Sequence, residues 1–246
     1  MITILVNIIK IVFLLGFLIF IHEGGHFLVA KLCKVKVNEF AIGFGPTIWK
    51  KQGKETKYAI RLIPLGGFVS MEGETEDSED ERSFNKASVL KRIAIVAAGA
   101  MVNIVFGIIL YLFLIAIVYQ DIGVAFNATG NFIVSLIESI KMLFTGEVGV
   151  SDLTGPVGIS EIVTKAVGVV NYVYILAVIS VSLGITNLLP IPALDGGKIL
   201  LLIIEAIRKK PLKQETEIQI QLIGFSILIV LSLIVTYNDI LRVVNT

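Results

Sequence analysis

Four long apolar stretches decide what this chain can fold into. A transmembrane helix needs ~20 consecutive, mostly apolar residues. Such stretches run from about Ile4 to Leu32, Ile93 to Tyr119, Tyr172 to Ile207 and Ile218 to Tyr237. The third is too long for one straight crossing and is interrupted by Pro190 and Pro192, so it is expected to be a broken helical region. Of the 246 residues 55% are hydrophobic and 17% charged, a more apolar balance than soluble chains carry. The expected fold is an all-α polytopic membrane protein of about four transmembrane helices, read as one domain over 1–246. The first twenty residues look like a signal peptide, but no small-residue cleavage site follows and the apolar pattern continues to Leu32, which reads as a retained span. A net charge of +1, with no basic stripe interleaved with aromatics, excludes nucleic acid as a partner. Cys33 is the one cysteine, so no internal disulfide can form.

Basic residues orient the spans. Residues 34–92 hold eleven Lys and Arg, 120–171 hold two (Lys141 and Lys165), 198–217 hold five, and the tail after Tyr237 holds only Arg242. The alternation places 34–92 and 198–217 in the cytoplasm, and 120–171 and both termini outside. Within 34–92, residues 35–70 read as a small β insertion. Ile42 to Pro46 (IGFGP) is a turn cluster. Lys57 to Pro64 alternates Tyr58, Ile60 and Leu62 against Lys57, Ala59 and Arg61, the pattern of a half-buried strand. Glu72 to Glu81 (EGETEDSEDE) reads as a solvated, flexible acidic linker. Outside, Asn131 to Phe144 is helical in pattern but too short to span, which predicts an interfacial or re-entrant helix.

The chemistry sits inside the first span, in IHEGGH. His22 and His26 are four residues apart, so on a helix both imidazoles share one face and can hold one metal ion. Glu23, beside the first ligand, is placed to accept a proton from a water at that ion. These are the only two histidines in the chain. His22 lies nine residues before Lys31, the expected cytoplasmic edge, and so ~13 Å inside. An acidic group near the bilayer centre costs ~2.5–3.5 kcal/mol on insertion scales, so it must face protein and find a partner. A polar cluster gluing helices together is the bland alternative, but it requires neither this spacing nor this order of residues. Gly24 and Gly25 cost ~1 kcal/mol each in a helix; close helix packing or room beside the metal explains them. Ala97 to Asn103 in the second span reads mostly as a packing face, with Asn103 a candidate polar contact.

A catalytic zinc takes three protein ligands and keeps one position open. With no third histidine, the candidate is Asp195, in NLLPIPALDGGK, the one other acidic residue embedded far from a charge cluster. Broken helix at membrane depth is tolerated where it lines a cavity. The prolines allow Asp195 to leave its helix axis, and Gly196 and Gly197 loosen the chain behind it. Asp195 as the N-cap of a helix from Gly196 is the alternative, and the two are compatible. Lys198 and Glu205 are assigned to the cytoplasmic rim.

IHEGGH with FLVAKL, EFAIGFGP, RLIPLGGFV, AGAMVN, GPVGI and NLLPIPALDGGK, in that order and over nearly the whole chain, resembles the site-2 protease family of intramembrane zinc metalloproteases, in the branch of the bacterial regulator of sigma-E protease. The resemblance implies that His22, His26 and Asp195 bind one zinc ion and that Glu23 is the catalytic carboxylate. It implies that Asn187 holds the substrate backbone. It further implies that the β segment around Tyr58, Ile60, Leu62, Gly66 and Gly67 dips into the membrane and pairs with an unwound substrate. The chain departs from the family pattern at Gly24, where many members carry a bulky residue, at Ala100, where proline is usual, and in 120–171, which is too short for the PDZ domain usual in this branch.

Two functions are weighed. One is an intramembrane endopeptidase in the bacterial inner membrane, acting on single-span membrane proteins such as anti-sigma factors, or on remnant signal peptides, with the substrate added as a strand to Tyr58–Ile63. The other is a non-catalytic zinc-binding membrane protein or a metal transporter. A structural zinc normally closes with four ligands, and a transporter needs ionisable groups along several spans.

Overall fold

The computed structural model describes residues 2–76, 78–147, 149 and 153–244. Both chain ends, and hence the expectation of where they lie, fall outside the described residues. The order is α1 (Ile2–Leu32), β1 (Val37–Gln52), β2 (Lys57–Met71), α2 (Val89–Tyr119), α3 (Ile122–Thr145), α4 (Pro156–Lys165), α5 (Gly168–Asn187), α6 (Asp195–Arg208) and α7 (Gln214–Val244). Parts of α1, α2, α5 and α7 form four helices long and apolar enough to cross a membrane. The third apolar region is broken as expected, with α5 ending at Asn187 and α6 starting at Asp195.

By contacts the chain divides into two units. One comprises Val12–Ile104 and Ser182–Phe225; the other comprises Met1–Ile11, Val105–Val181 and Ser226–Thr246. In the first, a core of Ala30, Val37, Phe40, Val69, Ile95 and Leu202 joins α1, the sheet, α2 and α6. The strands pair antiparallel, with turn bond Gly53 N–H to Thr56 O. Residues 39–42 of β1 are paired twice: with Lys57 to Ile60 on one side, and with Gly67 to Ser70 on the other. Residues 57–60 are also paired twice, because Trp49 to Gln52 lies along their second edge. The expected turn cluster at 42–46 and the Gly66-Gly67 break are bends within long strands. Gly43 (φ +87°) and Gly66 (φ +114°) take left-handed conformations there, and a Cβ on Gly66 would stand 1.9 Å from the Phe44 ring.

The sheet reverses the expected strand face. Ala59 is the buried residue of β2's first half, whereas Ile60 and Leu62 are exposed and Tyr58 packs half-buried on Phe27 and Phe40. Alternation finds two faces but not which one is inside. Where the outer face meets hydrocarbon rather than water, the larger apolar residues can point outward. Phe44, Ile48, Trp49 and Ile63 are exposed in the same region.

The acidic segment is not a free connector. Glu72 N–H donates to Lys36 O, and Phe84 N–H to Glu72 O. Glu72 accepts from Ser78 and Asn38, and Asp80 from Lys36. All of these partners except Ser78 come from outside the run, which is why the run alone looked solvated. Hydrogen bonds from Ser78, Asn38 and Lys36 hold the Glu72 carboxyl below the usual carboxylate range. The Arg82 N–H and Lys36 do the same for Asp80. A carboxylate whose folded pKa is depressed stabilises the fold above its unfolded pKa, and that contribution is lost as pH falls through the folded value. Limited proteolysis within 72–82 is therefore expected to be slow at pH 7 and to accelerate below about pH 4; equal rates at both pH values would refute this.

In the second unit, α3 is longer than the 131–144 expected. Asp121 accepts from the N–H groups of Gly123 and Val124 at 2.8 and 3.1 Å, Gly146 (φ +74°) ends the helix, and α3 is not among the span candidates. The start of α4, the GPVGI motif, is held by Asp239 of α7, which is 1% exposed and accepts from Gly155 and Gly158 N–H at 3.0 and 2.8 Å. Asp239→Ala leaves both donors unsatisfied and is expected to destabilise the fold by ~2–4 kcal/mol, read as a fall in thermal midpoint; Asp239→Asn, which keeps an acceptor, loses less.

Candidate metal centre

α1 carries His22, Glu23 and His26, and two close approaches fit α2 against it. A Cβ on Gly25 would stand 2.6 Å from Ala98 O, so this glycine serves packing. A Cβ on Gly99 would stand 2.3 Å from His26 Nε2, so Gly99 makes room for the imidazole; Gly24 faces open space. Asn103 is fully buried, as a polar group inside the bundle would be.

α6 supplies Asp195 at its first turn. The helix N-cap is Leu194, with no side-chain cap, so Asp195 does not fill the capping role. Gly196 and Gly197 do not loosen the chain. They lie buried beneath the carbonyls of Leu188, Leu189 and Ile191, each 2.2–2.3 Å from where a Cβ would be, and so let 188–194 fold back over the helix start. Ala193 sits at φ +74°, and its N–H donates to Gln221 of α7.

These placements bring three side chains to one point. His22 Nε2 and His26 Nε2 are 3.2 Å apart, and Asp195 Oδ2 lies 3.2 Å from the first and 3.5 Å from the second. His26 Nδ1 is 2.9 Å from Ile95 O. A carbonyl only accepts, so Nδ1 carries the proton and Nε2 presents its lone pair to the cluster. Asp195 Oδ2 is buried and, among the described residues, has no hydrogen-bond partner. Lone pairs crowded this closely repel unless a cation lies among them. The point equidistant from the three atoms is ~1.9 Å from each, against zinc–ligand bonds of ~2.0–2.2 Å. The residues fit a divalent ion, and among the described residues they form the one group of three or more His, Cys, Asp or Glu side chains placed to hold a metal.

The cluster opens on a cavity of about 320 Å³. Glu23, Asn187 and Gly67 line it. A Cβ on Gly67 would be 3.0 Å from Glu23 Cγ, so the strand passes directly over that side chain. Tyr58, Ile60, Leu62 and Gly66 do not line the cavity. Nor can 58–60 accept another strand, because both its edges are taken. The edge that reaches the cavity is Gly67 to Met71, paired on one side only among the described residues.

Sequence reading missed Phe68, Met71, Glu74 and Lys198, all of which line the cavity. Lys198 was assigned to the rim, yet it lies one helical turn after Asp195 and hence on the same face, a signal that was present. Glu205 lies outside the cavity, paired with Arg92 of α2. Glu74 was indistinguishable within its acidic run.

A family model described as Peptidase family M50 matches residues 10–231. A protein of Clostridium acetobutylicum named as a zinc metalloprotease is 30% identical, covering 97% of this chain and 98% of its own length. The zinc metalloprotease RasP of Bacillus licheniformis (24%) covers 96% of this chain and 99% of itself, and the regulator of sigma-W protease RasP of Bacillus subtilis (25%) covers 96% and 98%. The first alignment runs over 338 residues, more than the 246 of this chain, so that relative carries residues without a counterpart here. With its two-histidine, one-aspartate centre lying between a span and a broken helix, the chain belongs to Peptidase family M50, the site-2 protease family.

Proposed function

We propose that this chain is an intramembrane zinc endopeptidase that cuts membrane-spanning segments of single-span proteins or remnant signal peptides. The observation that carries the reading is the convergence of His22, His26 and Asp195 within 3.5 Å, beside Glu23 in a cavity bordered by an open strand edge. When bound, the zinc acidifies a water and polarises the peptide carbonyl. Glu23 takes the proton from the attacking water and returns it to the leaving amine. His26, steered by Ile95 O, and His22 keep their nitrogens aimed at one point.

A helical substrate hides its peptide bonds in its own hydrogen bonds and must be held unwound. Gly67–Met71 replaces those bonds by strand addition, a relocation from the Tyr58–Ile63 segment first expected. Asn187, at the end of α5, offers its amide to the substrate backbone. The exposed Phe44, Ile48 and Trp49 support a sheet lying against acyl chains. Trp49 is the single tryptophan, so its fluorescence is expected to be quenched by lipids brominated on their chains; an unquenched signal would sink the membrane placement.

The bacterial relatives and the distribution of Lys and Arg support an inner-membrane enzyme with both termini outside and the sheet inside. A C-terminal tag is then expected to be digested from the outside of intact spheroplasts. The function itself is tested by co-expression with tagged single-span substrates and with the purified chain in micelles. Cleavage should stop with a zinc chelator and return with added zinc. Stoichiometric zinc without cleavage of any substrate would favour the non-catalytic reading.

A further inference from the structure

We propose that Glu74 and Lys198 form a strut that sets the spacing between the strand edge Gly67–Met71 and the helix bearing Asp195, which makes them positioning residues for substrate; this rests on the function proposed above. Lys198 Nζ is 2.6 Å from Glu74 Oε1, joining segments 124 residues apart. The other carboxylate oxygen of Glu74 accepts from the backbone N–H of Met71, the last residue of β2, at 3.4 Å. One side chain thus grips the end of the cavity-lining strand and the first turn of α6.

Two further contacts stiffen the strut. The Lys198 ammonium stands 4.9 Å from the centroid of the Phe84 ring, which is 4% exposed. The turn between strand and strut is tight: Gly73 has φ +67°, and a Cβ there would be 2.7 Å from Ser83 Cβ. Exposed ion pairs contribute little, because water and salt screen them. This pair is about four-fifths buried, in the wall it shares with His22, Glu23 and His26, so each charge depends on the other.

The reason for such a strut is geometric. A substrate strand added at Gly67–Met71 takes its position from that edge, while attack takes place at a point fixed in part by Asp195. Small errors between the two are costly, since reacting atoms must approach within ~3–3.5 Å in line. Gly67 ties one end of the edge to Glu23, and Glu74 ties the other end to α6. Loss of the strut lets the edge drift, which weakens substrate binding before it affects proton transfer or metal binding.

The test uses the full chain in micelles and a fluorescent single-span peptide with a Gly-Pro pair at its centre. Glu74→Gln and Lys198→Met are each expected to raise KM about tenfold while kcat stays within about threefold. Zinc content stays at that of the unsubstituted chain. In a Glu23→Gln background, which holds substrate without cutting it, fluorescence anisotropy should show the same roughly tenfold loss of peptide affinity. The conservative Lys198→Arg, which keeps the charge opposite Glu74 and over the Phe84 ring, should retain most of the affinity that Lys198→Met loses, which a general loss of folding would not allow. A fall in kcat with KM unchanged, zinc lost from the single variants, or Lys198→Arg no better than Lys198→Met would overturn the strut. A wild-type chain that leaves the peptide uncut would instead overturn the proposed function, and the strut with it.

Discussion

Glu23→Gln is expected to lower cleavage by ~10²–10⁴-fold, the range that a positioned acid–base group supplies, while zinc stays bound as in the unsubstituted chain. The amide is close in shape to the carboxylate, so the packing of Glu23 against Gly67 survives. It cannot take a proton from water at neutral pH. Glu23 is not among the three side chains whose donor atoms converge, so the ligand set is untouched. Cleavage rates and metal analysis of the same preparation decide the matter. Undiminished cleavage would reject Glu23 as the base, and loss of zinc would move Glu23 into the ligand shell.

Gly99→Ala should damage the centre without altering any ligand. The new methyl would lie 2.3 Å from His26 Nε2 and 2.7 and 2.8 Å from two ring carbons. The ring cannot turn aside without giving up the 2.9 Å contact of Nδ1 with Ile95 O. Nor can α2 retreat cheaply, because Gly25 and Ala98 already meet at backbone distance. Displacing a ligand's support typically costs 10–100-fold in metal affinity, so zinc binding should weaken by about that factor. Overpacking adds ~1–3 kcal/mol of destabilisation. Competition with a chromophoric chelator measures the first and thermal unfolding the second. Gly24→Ala is the control: nothing lies within 4 Å of its added methyl, so zinc affinity should not change. Wild-type zinc affinity in Gly99→Ala would mean that the helices separate more readily than this packing implies.

The candidate metal ligands were legible because their signals are local or rare. His22 and His26 are the chain's only histidines and stand at helical spacing, and Asp195 is an acid isolated in an apolar region broken by prolines. The spans were legible because bilayer thickness sets a minimum apolar length. The proposed substrate edge was not. Both Tyr58–Ile60 and Gly67–Met71 look like strand, and only the pairing of 39–42 on both sides shows that the first is enclosed and the second open. Glu74 was hidden for the same reason: six other Asp and Glu lie within 72–81, and its neighbours Met71 and Lys198 are set by the fold.

Sequence alone therefore determined that the chain crosses a membrane and that two imidazoles and a carboxylate are available to one ion, since segment length and helical spacing act over a few residues at a time. Tertiary structure decided which strand edge meets those groups, which glycines clear space for them, and that an apparently free acidic run is tied to the helix of Asp195. Those outcomes depend on contacts between residues far apart in the chain, where backbone pairing and close packing select one partner among several that look alike in sequence.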